Sequence, residues 1–448
     1  MQAFVTHQSW RRILLILVFC ACPLNAMAAA LELEVVTVSD EGEGSLRAAL
    51  ETAASAGKRP VRIHFGPRDG LFSTPQTIQL TAPLPMIVGE VTIDGFIPNL
   101  LWRAYGATIS GSDTHRIFEV AESGTLRLTG VTLRSGRAPS GGAVLNHGRL
   151  DIEGVSLLEN SAASDGGAIA NHGELWVINS TLAWNRSSRG GGLANLAGQT
   201  RLINATLHQN AAPHGAALWS QSQLHLANSI LSGAPDQSQC INSGRLSEQT
   251  THNLIQGAHT GCGEPILTID PGLEDRLGYF NGPTPTIPVG GASPVVNLGL
   301  NAGAVDARGE PLRWDQRGNG DPRFASGHTD LGAFERQGHL PDQFVVDTIE
   351  DTGLRACSLS AAADCPLRAA LELATAARQA TPIRFDARVF DEPRTIILSH
   401  IPALGNQAVV LDGSGTAGVT ILVPEVHLWE TRNGVRVEAH PTVQARQP

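Results

Sequence analysis

The stretch GGAIANHGELWVINSTLAWN, residues 166–185, decides how this chain folds. Its paired glycines oppose a helix, while Leu175 and Val177 stand two residues apart, the period of a strand with one buried face. The stretch returns along the chain. Gly141-Gly142-Ala143-Val144-Leu145-Asn146 precedes it, and Gly190-Gly191-Gly192-Leu193-Ala194-Asn195 and Gly215-Ala216-Ala217-Leu218-Trp219-Ser220 follow. The four starts differ by 25, 24 and 25 residues (141, 166, 190, 215).

Three apolar columns keep the same period: Leu126, Leu150, Leu175, Thr200, Leu224; then Leu128, Ile152, Val177, Leu202, Leu226; then Leu133, Leu157, Leu182, Leu207, Leu231. Asn160, Asn185 and Asn210 close three of the repeats. A unit this short, with strands and no helix, cannot bury its own apolar face and must stack on copies of itself. Successive turns of chain then lie about 4.8 Å apart, the strand spacing of a sheet. The expected fold is an all-β solenoid, a right-handed parallel β-helix with regular coils over about 118–232. Glycines supply the tight corners, and the terminal asparagines are expected to take left-handed turn conformations and hydrogen-bond up the stack.

Several segments surround the coils. Val35-Val36-Thr37-Val38 reads as a strand, and Ser45 caps a short helix from Leu46 to Ala56 that shields the first coil. The Pro/Gly-rich stretch 271–334 reads as the last irregular coils. Residues 343–448 then repeat the opening module: Pro366-Leu367-Arg368-Ala369-Ala370-Leu371 answers Ser45-Leu46-Arg47-Ala48-Ala49-Leu50. The expected division is therefore a signal over 1–28, a β-helix over 29–336 and a second, partial cap module over 343–448.

These repeats resemble those of bacterial polymorphic outer-membrane proteins, GGA(I/L) and F-x-x-N, with leucine at Leu157, Leu182 and Leu207 in place of phenylalanine. Other segments resemble secreted β-helix proteins with a CSLREA segment and a choice-of-anchor Q region. These are Cys365 to Leu371, Asn281-Gly282-Pro283-Thr284-Pro285-Thr286, and Asp315-Gln316-Arg317-Gly318 followed by Asp330-Leu331-Gly332-Ala333-Phe334-Glu335. The resemblance implies architecture and carries no catalytic residues.

Arg11 and Arg12 precede the apolar run Ile13 to Phe19, and Ala26-Met27-Ala28 offers a cleavage site. The chain is expected to be cut near Ala28 and to reside in the periplasm, at the surface or outside a bacterial cell, with no later transmembrane segment. Four cysteines remain, and their local grouping predicts the pairs Cys240–Cys262 and Cys357–Cys365. No metal site or cofactor is expected. A net charge of −10 and a single lysine, Lys58, exclude a nucleic-acid partner.

Chemistry is sparse in the columns. Asp151, Glu153, Glu159, Asp165 and Glu174 occupy different places in the repeat, and no pair stacks coil to coil. Arg186 and Arg189 share a turn edge and can hold a carboxylate. His147 and His172 are 25 residues apart and should stack, without a third ligand to make a metal site. Trp176 should face outward and offer a sugar-stacking surface. The functional expectation is a non-catalytic exported β-helix at the cell surface or outside the cell, serving adhesion, envelope structure or glycan contact, with a polysaccharide or another cell-surface polymer as partner. The alternative is a polysaccharide lyase, hydrolase or epimerase on the same fold.

Overall fold

The computed structural model describes residues 29–66, 71–72, 74–95, 106–274, 276–290, 293–318, 321–324, 328–336, 343–351, 365–368, 370–371, 382–399, 409–424 and 430–439. The export signal read over 1–28 lies outside them. Each coil gives one strand to each of three parallel sheets. A typical coil passes through Glu174–Ile178 in the first sheet, Thr181–Ala183 in the second and Leu193–Asn195 in the third. The first and second sheets have eight strands and the third has seven, so the chain is a parallel β-solenoid.

The predicted columns are the registers of the ladders. Leu150 pairs with Leu126 and Leu175, Ile152 with Leu128 and Val177, and Leu157 with Leu133 and Leu182. All of these side chains are buried in one continuous core. Each buried aliphatic side chain contributes about 1.5–3 kcal/mol, which is what drives the stacking.

The corners explain the glycine pairs. Gly141, Gly166, Gly190 and Gly215 all have φ of 62–63°, the left-handed region that glycine enters without strain. The second glycine answers a different demand. A Cβ at Gly167 would collide with the Gly191 carbonyl oxygen of the next coil.

The asparagine column is internal, which corrects the expected left-handed turn. Positive φ belongs to the preceding residues, Glu159 (57°), Trp184 (56°) and Gln209 (53°). Asn185 Nδ2 instead donates to Asn210 Oδ1 (2.9 Å) and the Leu157 carbonyl (2.9 Å), while Asn185 Oδ1 accepts from the Asn160 backbone (2.9 Å). The amide completes the bonding of a buried corner that water cannot reach. A second ladder runs Asn146, Asn171, Asn195, Ser220.

The first strand is Leu31–Val35, earlier than read, because the Val36 backbone turns away to bond the Gly44 carbonyl (2.9 Å). Helix Leu46–Ser55 is capped by Ser45, whose Oγ accepts from the Ala48 backbone (3.2 Å), and it buries Leu46, Ala49, Leu50 and Ala53 on the first coil. Arg47 ties the cap to the loop after the second-sheet strand Thr77–Gln79. It donates to both Asp40 carboxyl oxygens (2.8 Å each), and Asp40 accepts from the Thr81 backbone (2.8 Å).

The second module repeats this device. Arg368 Nε donates to Asp351 (2.8 Å), and Asp351 accepts from the Ser399 backbone (2.7 Å). Among the described residues, seven strands between Phe344 and Ala439 form two small parallel sheets around a separate core that includes Leu367, Leu371, Phe385 and Phe390. The disulfide Cys240–Cys262 is present at the last coils. Cys365 is also disulfide-bonded, and Cys357 lies outside the described residues.

The largest departure from expectation is the stretch 271–334. It adds no coil. After the rung that joins Leu254 to Leu267, the chain runs back along the outside, over the corner between the first and second sheets. Thr284 Oγ1 donates to the Gly154 carbonyl (3.0 Å), Asn179 Nδ2 to the Trp314 carbonyl (2.8 Å), and the Gly332 backbone to the Asn228 carbonyl (2.7 Å).

The reason lies on the coils themselves. Ser156, Thr181 and Thr206 form an outward polar column, and Ile178, Ile203 and Ala227 an outward apolar one. The tail satisfies the first through Gln316, which donates to Ser156 Oγ (2.9 Å) and accepts from Thr181 Oγ1 (2.6 Å). It covers the second with Ala304 and Leu312. The segments Asp315–Gly318 and Asp330–Glu335 form its lock. Arg317 pairs with Asp315 (2.6 Å), the fully buried Arg323 pairs with Glu335 (3.4 Å), and the Glu335 backbone donates to Asp315 (2.7 Å).

Candidate functional site

The outward side chains of the first sheet make an ordered polar face. Ladder registry aligns Arg127, Asp151, Trp176, Arg201 and His225 in one row, each one strand from the next. Arg149 and Glu174 stand in the neighbouring row.

Alternating charges link the two rows. Asp151 Oδ2 meets Arg127 (3.2 Å) and Arg149 (3.1 Å), Arg149 reaches Glu174 (3.1 Å), and Glu174 meets Arg201 (3.5 Å). Trp176 Nε1 donates to Glu174 (3.1 Å), and the Arg201 guanidinium lies 4.4 Å from the indole centroid. Trp176 therefore faces outward as predicted, but it is half-buried under Arg201 and beside the Leu312 group.

The folded-back tail raises a wall along this face. A cleft of about 660 Å³ separates them, lined by Thr129, Glu153, Asn179, Asp306, Glu310 and Trp314 among others. A recess of about 220 Å³ adjoins it, with Arg127, Asp151 and Arg308 in its lining. Glu153 lines the cleft with its side chain exposed to solvent. Desolvation there, and next the Asp306 carboxylate, raise its pKa above the ordinary value; Arg127 pulls the other way. Asp306 Oδ1 accepts from the Arg308 (2.8 Å) and Glu310 (2.9 Å) backbones, which fixes that carboxyl's orientation. Trp314 is 39 % exposed at the cleft.

The five residues chosen from sequence fall at three places. His147 and His172 stack at the corner between the third and first sheets, with ring centroids 4.9 Å apart and planes 19° apart. Burial, then the charge His147 would carry, hold His172 below its ordinary pKa, so the pair resists double protonation. No group of three metal-ligating side chains occurs among the described residues.

Arg186 and Arg189 lie on the opposite edge, between the second and third sheets. Arg189 is engaged with Asp165 (2.7 Å) and lies over the Trp219 ring (4.6 Å), while Arg186 is exposed. Only Trp176 belongs to the cleft-bearing face. Asp306 and Trp314 escaped the sequence reading because a tail without period places them. The outward isoleucines 178 and 203 were the signal that something covers this edge.

Among the described residues, no helix is long and apolar enough to cross a membrane. No protein-family model, curated protein or solved structure matches the chain.

Proposed function

We propose that this is an exported protein that holds a glycan of the cell surface or its surroundings along the outer face of the first sheet. The observation that carries the reading is the in-register row Arg127–Asp151–Trp176–Arg201–His225 beside a cleft edged by Trp314. Carboxylates and guanidinium groups offer fixed acceptors and donors to sugar hydroxyls, and indoles stack on sugar C–H faces. A stack of coils presents these groups repeatedly along one rigid surface, which suits a polymer. Export is supported by the signal pattern before residue 29 and by the Cys240–Cys262 disulfide.

Affinity electrophoresis in gels carrying soluble polysaccharides tests the reading. Trp176→Ala should weaken retention about tenfold or more, the effect of losing an aromatic anchor, while the chain keeps a cooperative melt lowered only by the lost contacts with Glu174, Arg201 and the Leu312 group. Arg186→Ala should leave retention intact. The reverse pattern moves the binding surface to the turn edge and defeats the proposal.

A further inference from the structure

Among the described residues the acids of the coils form no pair stacked coil to coil, which is why the sequence reads as non-catalytic. The tail supplies the missing partner. Glu153 ends the strand Arg149–Glu153, and Asp306 opens the tail turn that faces it. Both line the 660 Å³ cleft and the recess beside it. No hydrogen bond or ion pair with a described residue engages the Glu153 carboxyl. Asp306 is held by two backbone N–H donors, which fix the orientation of its carboxyl in the lining.

A third group points to a ligand. Asp151 lines the recess, is 5 % exposed, and its buried Oδ1 has no hydrogen-bond partner. Buried acceptors are seldom left so, and a sugar hydroxyl entering the recess would satisfy it.

We propose that Glu153 and Asp306 are the acid and base of a hydrolytic site for neutral polysaccharides, a step that rests on the glycan-binding reading above. Glu153 gives its proton to the glycosidic oxygen as the bond from the anomeric carbon to that oxygen breaks. Asp306 takes a proton from a water molecule whose oxygen bonds to the same carbon. One water is consumed and one new reducing end appears. The two carboxyl groups end with exchanged protonation states, which solvent resets. The lining is acidic on balance, which favours neutral over uronic-acid polymers: Glu153, Asp306, Glu310 and Asp315 face Arg313 in the cleft, while the recess adds Arg308 and an Arg127 that is paired with Asp151.

The test uses the full mature chain with soluble β-glucan, xylan, galactomannan and polygalacturonate, following new reducing ends and, separately, retention in affinity gels. The wild type should release ends from at least one neutral polymer. Glu153→Gln and Asp306→Asn should each lower that rate about 100-fold or more while retention stays within about twofold. The wild-type rate should fall as pH rises through the raised Glu153 pKa, and Glu153→Gln should lack that limb. Retention without new ends, ends from polygalacturonate alone, or full activity in Glu153→Gln each overturns the hydrolytic proposal and leaves the binding one standing. A chain retained by none of the polymers overturns both.

Discussion

Leu182→Asp is expected to yield no folded β-helix. Leu182 is fully buried and paired above and below with Leu157 and Leu207, so its column has no room and no partner for a charge. The change removes about 1.5–3 kcal/mol of apolar burial and adds several more for an unpaired carboxyl in a dry core. The sum rivals the 5–15 kcal/mol that holds a typical domain together. Far-UV circular dichroism and gel filtration of the purified chain check it. A cooperative melt within a few degrees of wild type contradicts the column assignment.

The second large effect concerns the tail. Arg323 is the largest fully buried side chain among the described residues. It donates to Thr329 Oγ1 (2.9 Å), Asn179 Oδ1 (3.2 Å) and the Gly332 carbonyl (2.7 Å), besides facing Glu335. Arg323→Met removes the cation that faces a buried carboxylate, a change that costs about 3–5 kcal/mol. Because these bonds hold the tail's own fold together and one of them, to Asn179, ties it to a coil, the tail should detach before the stack melts. Limited proteolysis should cut within 293–318 at least tenfold faster, with the coils intact, and adding Glu335→Met should recover part of the loss. Unchanged cleavage in the single variant contradicts the lock.

Acidity bears on the same contact. Burial pushes Asp330 up to about 6 despite bonds from the Asn297 and Arg336 backbones. A carboxyl with a raised pKa binds its proton more tightly folded than unfolded. Its contribution is therefore full below about pH 4 and is lost as pH rises through about 6. Burial holds His328, in the same segment, down at about 4, so its contribution is present at pH 7 and lost as pH falls, opposing that of Asp330. Between pH 7 and pH 5 the tail should therefore loosen more in Asp330→Asn than in the wild type, read by limited proteolysis.

The coils were legible because their physics is local. An apolar alternation of two inside a period of 25 fixes which residues face inward, and Gly166 marks the corner that needs positive φ. Ser45 announced the helix cap for the same reason. The tail was not legible, because nothing within it records where it lies. Gln316 finds its partner at Ser156, 160 residues upstream, and Asp306 meets Glu153 only through that docking. The Arg47–Asp40 and Arg368–Asp351 clamps share this limit. The repeated arginines were visible, while their acidic partners sit at different offsets. His147 and His172 stack as their spacing required, yet stacking alone assembles no site.

The central claim is that coil and tail together form one glycan site on the first sheet. Hydrogen exchange of the full chain, with and without the neutral polysaccharide it retains best, tests that claim most directly. The account predicts added protection in 149–153, 174–178 and 304–314 together, with no change around Arg186 and Arg189. Protection confined to the turn edge at 186–189, with the first sheet and tail unaffected, would contradict it.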